Sequence, residues 1–438
     1  MDRTLVCETP KVIGEKVKIE GWVNVVRDHG KITFVDFRDR SGVIQCVGAR
    51  LPKLSAEDVI QITGSVTKRP EKLINKNIET GEIELQIEEI KILAKAYELP
   101  IDMGKEKLEV ELPTLLDWRS LTLRHPRVKA IFKVQAKLAE GFRKAATELG
   151  CTEIFIPTIA ASATEGGAEV FKIKYYEHDA FMTQSPQLYK QMLVPVFERV
   201  FTIAKAYRAE PSVTTRHLSE STQMDCELAF LGFTELMDAL EFVGSTTLKY
   251  AEKECKEELK LYDVPKLKIP NKIPRLKMRE AQEIIYKRTG VDHRTERDLE
   301  PEDEREICRW AFEERGSDLV TITHYPTKKR AFYTAPDPTD PEFSLSYDLL
   351  FRGIEILSGS ARINDYEQLV AEIKARGMNP DNFEMYLQAF KFGMPPEGGF
   401  SFGLERLTMK VLELSNVREA SLYPRDMERV DVRLSTLT

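Results

Sequence analysis

The cysteine pattern of a disulfide-rich or zinc-binding protein is missing from this sequence. Its six cysteines are scattered along 438 residues, and no two of them form a Cys-x-x-Cys pair. Neither a zinc knuckle nor a disulfide framework is therefore indicated. A reducing compartment suits such isolated cysteines best, and we expect a cytoplasmic protein.

Long apolar runs and a basic charge balance are also missing. No apolar stretch approaches the roughly 20 residues of a membrane-spanning helix, and residues 1–7 lack the pattern of a secretion signal. We therefore expect no membrane association. The net charge of −7 argues against a general polyanion binder, because binding phosphates by bulk charge requires a basic surface. Local basic grooves are still compatible with it.

Length and composition predict an ordinary globular protein with more than one core. The chain is 42% hydrophobic and 31% charged, which is typical of globular domains, and its length suggests two or three of them. We divide it into a first domain (1–105), a hinge rich in prolines (106–130) and a second domain (131–438).

The first domain is predicted to be a small β-barrel of the OB type. Gly21 and Gly64 stand where strands of such a barrel must bend. One face would carry a cation, a ring and hydrogen-bonding groups suited to unstacked bases, from Arg27, Phe34, Gln45 and Glu84. On the residues alone, a core Phe34 with solvated polar neighbours is the favoured alternative. The predicted strands are 17–26, 32–38, 42–47, 59–66 and 83–93.

The second domain mixes strands and helices without a βαβ rhythm. This order predicts a mostly antiparallel sheet flanked by helices, and so an α+β fold class for the chain. Two of the expected strands lie late in the sequence, at 331–334 and in one long extended run at 344–357.

A predicted hairpin over residues 201–230 carries more charge than folding requires. Two extended runs flank a turn at Pro211-Ser212. Both faces of a stable sheet cannot be solvated, so we expect some of these charges to line a polar pocket. The charged residues are Arg208, Glu210, Arg216, His217, Glu220, Asp225 and Glu227.

Three stretches in order resemble the signature motifs of class II aminoacyl-tRNA synthetases. Residues 149–157 resemble motif 1, which forms the dimer interface in that family. The hairpin residues 207–210 and 216–218 resemble motif 2, and residues 403–406 resemble motif 3. The resemblance implies a synthetase catalytic domain that works as a homodimer.

The narrower resemblance is to the aspartyl-tRNA synthetases. The stretch between Phe230 and Glu355 is too short for the large inserted domain of the bacterial type, so the chain resembles the compact archaeal type, although residues 69–84 look more bacterial. The resemblance reverses the expectation for the barrel face, which becomes an anticodon-binding surface. The matching segments are 164–167, 184–191, 355–362, 392–396, 21–24 and 27–29.

The implied reaction joins aspartate to tRNA in two steps that consume ATP. A carboxylate oxygen attacks the α-phosphorus, and the aminoacyl group then moves to a 3′ hydroxyl of tRNA(Asp). Both steps need positioning and charge neutralisation more than a protein nucleophile. The absence of a Ser-His-Asp or Cys-His constellation is consistent with this chemistry.

The resemblance also implies roles for the ATP site. Arg208 would bridge the substrate carboxylate and the α-phosphate, because a planar guanidinium can hold two oxyanions. Glu355 and Ser358 would bind Mg²⁺ through oxygen ligands. Among the ATP-binding residues, Arg208, Glu210 and Arg406 are the implied catalytic ones. The ATP-binding set is Arg208, Glu210, Arg216, His217, Leu218, Glu355, Gly403 and Arg406.

The implied aspartate pocket has two cations. Lys190 and Arg362 would face the side-chain carboxylate, whereas an asparagine pocket has no use for two buried cations. Asp225 would take the α-ammonium. The implied aspartate-binding residues are Glu165, Gln187, Lys190, Arg208, Asp225, Ser358 and Arg362.

Several alternatives are open at this stage. Many family members carry an aromatic ring at the position of Ser221 to stack on adenine, and His217 is the candidate substitute. A tryptophan is expected near Asn24 in discriminating archaeal-type enzymes, so tRNA(Asn) is a second candidate substrate, with Glu79 also near the relevant surface. The competing functions are an asparaginyl-tRNA synthetase and a non-catalytic, synthetase-like RNA-binding protein.

Overall fold

A computed structural model describes residues 2–161, 170–211 and 214–436. The chain forms two compact units, Met1–Glu109 and Val110–Thr438. The boundary falls just beyond the predicted end of the first domain, and residues 110–130 of the predicted hinge belong to the second unit. In the described parts of the chain, no helix combines the length and the apolar character that crossing a membrane requires.

The first unit is a closed five-stranded barrel, as the sequence predicts. Its strand order is β1-β2-β3-β5-β4, with β3 and β5 parallel and the other pairs antiparallel. A Cβ on Gly64 would lie 2.0 Å from the Gln86 carbonyl oxygen, so glycine is needed where β4 meets β5. The strands are β1 (Lys16–Asp28), β2 (Thr33–Arg38), β3 (Val43–Gly48), β4 (Val59–Lys68) and β5 (Ile83–Ala94).

The second unit contains an eight-stranded, mostly antiparallel sheet. Its order is β12-β13-β14-β15-β16-β11-β10-β6, and only β6–β10 and β12–β13 are parallel pairs among the described strands. Three further strands, β7 (Ile159–Ala160), β8 (Lys172–Tyr175) and β9 (His178–Met182), form a separate small sheet. The large sheet comprises β6 (Thr152–Glu153), β10 (Arg199–Tyr207), β11 (Glu220–Ala229), β12 (Arg275–Lys277), β13 (Leu319–Thr323), β14 (Ser346–Phe351), β15 (Ile354–Ala361) and β16 (Glu397–Gly403).

Helices α3 and α5 cover one face of the large sheet. Phe142 of α3 packs edge-on against Phe201 of β10 at 5.9 Å and Phe402 of β16 at 6.0 Å between ring centroids. On the opposite face, Val320, Ile322 and Leu350 pack against α7 and α8, and the part of that face around β11 is left for polar groups. The helices are α1 (Leu112–Asp117), α2 (Arg119–Thr122), α3 (Pro126–Glu148), α4 (Gln187–Phe197), α5 (Phe233–Glu254), α6 (Lys256–Lys260), α7 (Met278–Thr289), α8 (Pro301–Arg315), α9 (Tyr366–Ala375), α10 (Glu384–Lys391) and α11 (Leu404–Val411).

Arg119, in the segment expected to act as a hinge, is buried in the second unit. Its Nε donates to the Leu422 carbonyl at 2.8 Å, and its Nη2 donates to those of Ser421 at 2.6 Å and Glu419 at 2.9 Å. Burial lowers the pKa of Arg119 to about 10. This arginine therefore ties the beginning of the unit to the segment that follows α11.

Two strand predictions were wrong. The run at 344–357 is a hairpin of β14 and β15, because Arg352 and Gly353 both have positive φ, at 47° and 88°, and form a tight turn. Residues 331–334 form a turn closed by the Thr334 amide on the Ala331 carbonyl at 3.0 Å. The apolar side chains of that turn pack into a cluster with α9 and α10 instead of a sheet.

Candidate active site

The charged hairpin predicted from the sequence is formed by β10 and β11. On β11, Met224 and Cys226 belong to the apolar core beside α3 and α5. The alternate residues Asp225 and Glu227 are polar yet only 1% and 0% exposed. Because strand residues alternate between faces, β11 presents buried carboxylates on the face away from those helices. This face of the hairpin lines a polar pocket, as expected from its excess of charge.

A cavity of about 190 Å³, the inner cavity, lies against this polar face. It contains every described member of the predicted aspartate-binding set. Glu165, and with it the whole 164–167 segment, lies outside the described residues. The predicted members that line the inner cavity are Gln187, Lys190, Arg208, Asp225, Ser358 and Arg362.

Two cations of the inner cavity share one carboxylate. Lys190 Nζ lies 2.8 Å from Asp225 Oδ2 and 3.0 Å from Glu227 Oε2, and Arg362 Nε donates to Glu227 Oε1 at 2.7 Å. Burial alone would raise the pKa of Glu227, but Arg362 and Lys190 lower it to about 2. The sequence reasoning gave Glu227 no role, although its position two residues after Asp225 on one strand face was a usable signal.

Gln187 presents an unused donor to the inner cavity. Its Oε1 accepts from Arg362 Nη2 at 3.3 Å, which fixes the orientation of the amide. Its buried Nε2 has no hydrogen-bond partner among the residues that the structure describes. Buried amide groups are normally paired, so this N–H points to a ligand acceptor.

A second cavity of about 180 Å³, the outer cavity, adjoins the inner one. The two cavities share Arg208, Gln223, Ser358 and Ser401. The Arg208 amide donates to the Ser219 carbonyl at 2.9 Å at the end of the hairpin, whereas no hydrogen bond or ion pair of its guanidinium to another described residue is present. The outer cavity is lined by all predicted ATP-binding residues, namely Arg208, Glu210, Arg216, His217, Leu218, Glu355, Gly403 and Arg406.

Carboxylates crowd the edge of the outer cavity. Burial and the nearby Asp348 raise the pKa of Glu355, and burial and Glu355 raise that of Glu304 to about 7. Asp348 accepts from Ser358 Oγ at 2.6 Å and from Arg330 Nη2 at 2.7 Å.

Asp348 and Glu304 were both missed from the sequence. Asp348 pairs with Ser358 across β14 and β15, a register that the single predicted run concealed. Arg216, one of the predicted ATP-binding residues, donates to Glu304 Oε2 at 3.3 Å.

The donor set fits a cation only if the ligand brings further oxygen atoms. Within the described ranges, no three His, Cys, Asp or Glu side chains are grouped closely enough to hold a metal ion. Burial and the neighbouring Asp348 nevertheless raise the pKa of Glu355. A divalent cation between these two carboxylates would reduce their mutual repulsion. Phosphate oxygen atoms from a bound nucleotide would have to complete such a site.

Ser221 lines the outer cavity where the resemblance implies an aromatic ring. Among the described lining residues, the imidazole of His217 is the only ring. Its Nδ1 lies 2.7 Å from Thr214 Oγ1 and 3.6 Å from Glu210 Oε2. The apolar surface of the cavity comes from Leu218, Ile356 and Val417.

The predicted nucleic-acid face of the barrel is on the outside of its sheet. Phe34 is half-buried beside His29, with ring centroids 5.7 Å apart; Val35 fills the core instead. Arg27 pairs with Asp36 at 2.7 Å. Phe34 is therefore available on the surface and is not the core residue that the alternative reading required.

The other predicted residues of this face are also hydrogen-bonded. Gln45 Nε2 donates to Glu84 Oε2 at 3.1 Å. Arg38 donates to Asn24 Oδ1 at 3.1 Å, which places Asn24 on the same outer side of the barrel wall.

Family models match both units. The model of class II tRNA synthetases (D, K and N) matches residues 111–427. The chain belongs to this synthetase family. A model of the OB-fold nucleic acid binding domain matches residues 17–93. The predicted family and α+β fold class are confirmed, and in this synthetase the hairpin β10–β11 is the element that resembles motif 2.

Relatives of the synthetase match over nearly the whole chain. The aspartate–tRNA(Asp/Asn) ligase of Deinococcus radiodurans is 39% identical over 437 residues, which cover 98% of this chain and 99% of the relative. The aspartate–tRNA(Asp) ligase of Pyrococcus abyssi is 39% identical over 436 residues, covering 96% and 97%.

A solved structure also resembles the synthetase closely. The asparaginyl-tRNA synthetase of Pyrococcus horikoshii, complexed with asparaginyl-adenylate, has a TM-score of 0.89 at 30% identity and covers 98% of this chain and 99% of its own. The fold is thus common to aspartate and asparagine enzymes, so the fold alone does not distinguish the two amino acids.

Proposed function

We propose that the synthetase is an ATP-dependent aspartate–tRNA ligase. The observation that carries the proposal is the sharing of Glu227 by Lys190 and Arg362. Once Asp225 is paired with the α-ammonium of the substrate, the two cations and the ionised Glu227 leave one positive charge, which the side-chain carboxylate of the substrate neutralises. The names of the relatives from Deinococcus and Pyrococcus support the same reaction.

The remaining charges of the inner cavity fit the backbone groups of an amino acid. Asp225, held by Ser401 Oγ at 2.6 Å, would accept the α-ammonium. Gln187 would use its free Nε2 on a substrate carboxylate. Arg208, at the junction of both cavities, would bind the α-carboxylate and the α-phosphate together, because its guanidinium is otherwise uncommitted.

In the first step, a substrate carboxylate oxygen attacks the α-phosphorus of ATP. A new O–P bond forms, the bond from the α-phosphorus to the bridging oxygen breaks, and pyrophosphate leaves. Arg208 neutralises the charge that gathers on the α-phosphate, while Arg216, His217 and Arg406 contact the outer phosphates and the adenine, which Glu210 helps to orient. In the second step, a 3′-terminal hydroxyl of tRNA(Asp) attacks the carbonyl carbon of the aspartyl-adenylate. An ester bond forms, the bond from that carbon to the adenylate oxygen breaks, and AMP and the hydroxyl proton are released.

We propose Glu355, Ser358 and Asp348 as the residues that hold Mg²⁺ together with ATP. Mg²⁺ prefers oxygen ligands and is commonly bound by one or two carboxylates plus phosphates. When bound, it would offset phosphate charge. Asp348 additionally keeps Ser358 oriented toward this region through the 2.6 Å hydrogen bond.

Amino-acid-dependent pyrophosphate exchange tests the proposal against the asparagine alternative. A neutral amide would leave the positive charge of the inner cavity unbalanced, which is costly in a buried site. Aspartate should therefore support exchange, and asparagine should not. Exchange with asparagine alone would establish the alternative enzyme, and no exchange with either amino acid would favour the non-catalytic RNA-binding protein.

We propose that Arg27, Phe34, Gln45 and Glu84 read the anticodon and that tRNA(Asn) is charged as well as tRNA(Asp). Phe34 offers an accessible ring for stacking. Asn24 offers a small amide where a discriminating enzyme is expected to have tryptophan. Aspartylation of a tRNA(Asn) transcript is the direct measurement, and no product from an enzyme that charges tRNA(Asp) would refute the relaxed specificity.

We further propose a homodimer formed through the motif 1 region, in the cytoplasm. The short strand β6 lies at one end of the large sheet, and Phe155 just beyond it is 90% exposed. A large exposed ring next to a sheet edge favours pairing with a second copy. Sedimentation should give a dimer that Phe155→Glu weakens.

All six cysteines are free, which suits a reducing compartment.

A further inference from the structure

A buried acid without a role in the reaction lies behind the inner cavity. Glu397 is the first residue of β16 and is 3% exposed. Its Oε1 accepts from Gln191 Nε2 at 2.6 Å, and Gln191 Oε1 accepts from the Tyr386 hydroxyl at 3.0 Å. Glu397 is therefore held from the side of α4 and α10.

The second oxygen of Glu397 implies a proton. Its Oε2 is buried, and no group among the described residues donates to it. Strands β11 and β16 pair so that Glu227 lies opposite Gly399 and Ala229 lies opposite Glu397. This register places the two carboxyl groups on the same face of the sheet as near neighbours, and each of them affects the pKa of the other. Both oxygens of Glu227 already contact cations, Arg362 at Oε1 and Lys190 at Oε2. A hydrogen bond between two carboxyl groups requires one proton. A proton on Glu397 Oε2 turns this oxygen, which no described group donates to, into a donor toward Glu227.

The charged neighbours decide which carboxyl keeps that proton. Glu227 is in direct contact with two cations, so it stays ionised. Burial and then the charge of Glu227 raise the pKa of Glu397 well above its usual range, consistent with a pair that holds one proton between them. The titratable and polar groups facing Glu397 are Glu227 on β11, Arg362 after β15, Gln191 on α4, Tyr386 on α10 and Tyr347 on β14.

We propose that Glu397 is a neutral positioning residue that donates its proton to Glu227. Once Asp225 is paired with the α-ammonium of the substrate, Lys190 and Arg362 then keep one positive charge in excess of Glu227 for the substrate side chain. This inference rests on the proposed function. An ionised Glu397 would cancel that charge and remove the preference for a carboxylate over an amide. Selectivity for aspartate thus depends on a proton held behind the residues that touch the substrate.

Two substitutions separate this role from simple packing. Glu397→Gln keeps a donor for Glu227 and an acceptor for Gln191, whereas Glu397→Leu keeps neither. In pyrophosphate exchange, Glu397→Leu should raise the KM for aspartate about tenfold or more, as expected for a lost hydrogen bond to a charged group, with the KM for ATP unchanged. Glu397→Gln should restore a KM near that of the wild type. Glu384→Leu on the exposed side of α10 is the matched control.

The pH profile supplies a second test. As the pH rises and Glu397 loses its proton, the KM for aspartate should rise in the wild type more steeply than in Glu397→Gln. Titration of the substrate ammonium is common to both enzymes and cancels in the comparison. Identical profiles, or a Glu397→Gln enzyme as impaired as Glu397→Leu, would overturn the proposal.

A third measurement does not depend on the substrate. The infrared spectrum of the wild type at neutral pH should contain a protonated carboxylic acid band that Glu397→Gln lacks. If aspartate is not activated by the wild type but the band is present, the proposed function fails while the neutral Glu397 stands. If the band is absent in an enzyme that does activate aspartate, the neutral Glu397 is refuted while the proposed function stands.

Discussion

The inner and outer cavities adjoin each other but differ in how deeply their cations are buried and how they are paired. In the inner cavity, Lys190 and Arg362 are buried and both contact Glu227. In the outer cavity, the Arg208 guanidinium has no ion-pair partner among the described residues, and Arg406 is 28% exposed and 3.8 Å from Glu355. A buried, paired site penalises a wrong ligand because a mismatch leaves a charge without a partner. Accessible cations attract phosphates with less demand on shape. In the proposed function, the inner cavity therefore selects the amino acid and the outer cavity attracts the phosphates of ATP.

The largest effect should follow from removing the residue that the two cavities share. Arg208→Ala should lower kcat/KM for pyrophosphate exchange about a thousandfold, since oriented charge stabilisation at a reacting centre is worth that much. Arg208→Lys retains the charge without the planar fork and should fall between. If Arg208→Ala kept nearly full activity, the junction would not be the reacting centre.

Within the inner cavity, Arg362→Leu should raise the KM for aspartate about a hundredfold, because it removes a buried cation and leaves Glu227 with one partner. The KM for ATP should stay constant, which separates the two cavities. Arg376→Leu, an exposed arginine at the end of α9, controls for general loss of charge. Equal increases in the KM for aspartate and the KM for ATP would contradict the assignment of aspartate to the inner cavity and of ATP to the outer cavity.

Glu304, at the edge of the outer cavity, should make the stability of the protein depend on pH near neutrality. The pKa of Glu304 is raised to about 7 from 4.5, so its favourable contribution is complete below about 4.5 and is lost as pH rises through about 7. The loss is at most about 3 kcal/mol, less for partial exposure. Urea unfolding on either side of this range should show it, and Glu304→Gln should flatten the curve. An unchanged slope in that variant would assign the effect elsewhere.

The smallest effect concerns adenine. Ser221→Phe should lower the KM for ATP about fivefold to tenfold, which corresponds to the lower end of the roughly 1–3 kcal/mol that a stacked ring contributes per base. Ser221→Leu adds apolar volume without a ring and should gain less. A higher KM for ATP in Ser221→Phe would show that the cavity has no room for a stacking side chain at this position.

Contiguous motifs made much of the site predictable. Asp225 and Glu227 alternate with core residues along β11, where the two-residue period tells which side chains share a face. Arg208, Arg216 and His217 lie in the segment that joins β10 to β11. Lys190 and Arg362 came from the resemblance and line the same cavity as Asp225.

The residues that were missed depend on register and depth. Asp348 joins the site through its pairing with Ser358, and the turn at Arg352 and Gly353 that creates this pairing was read as continuous strand. Glu397 acts through a proton that no sequence pattern reports. Such contacts are set by packing between strands far apart in the chain.

Arg119 lies far from the chemistry in the chain, yet it affects the loop that would hold ATP. It donates to the carbonyls of Glu419, Ser421 and Leu422. On one side of that anchored stretch, the Val417 amide donates to the Thr215 carbonyl at 2.9 Å; on the other, the Arg425 carbonyl accepts from the Ser219 amide at 2.8 Å. Two backbone hydrogen bonds therefore hold the segment between β10 and β11 against the C-terminal segment. Removing the buried Arg119 guanidinium would weaken both hydrogen bonds.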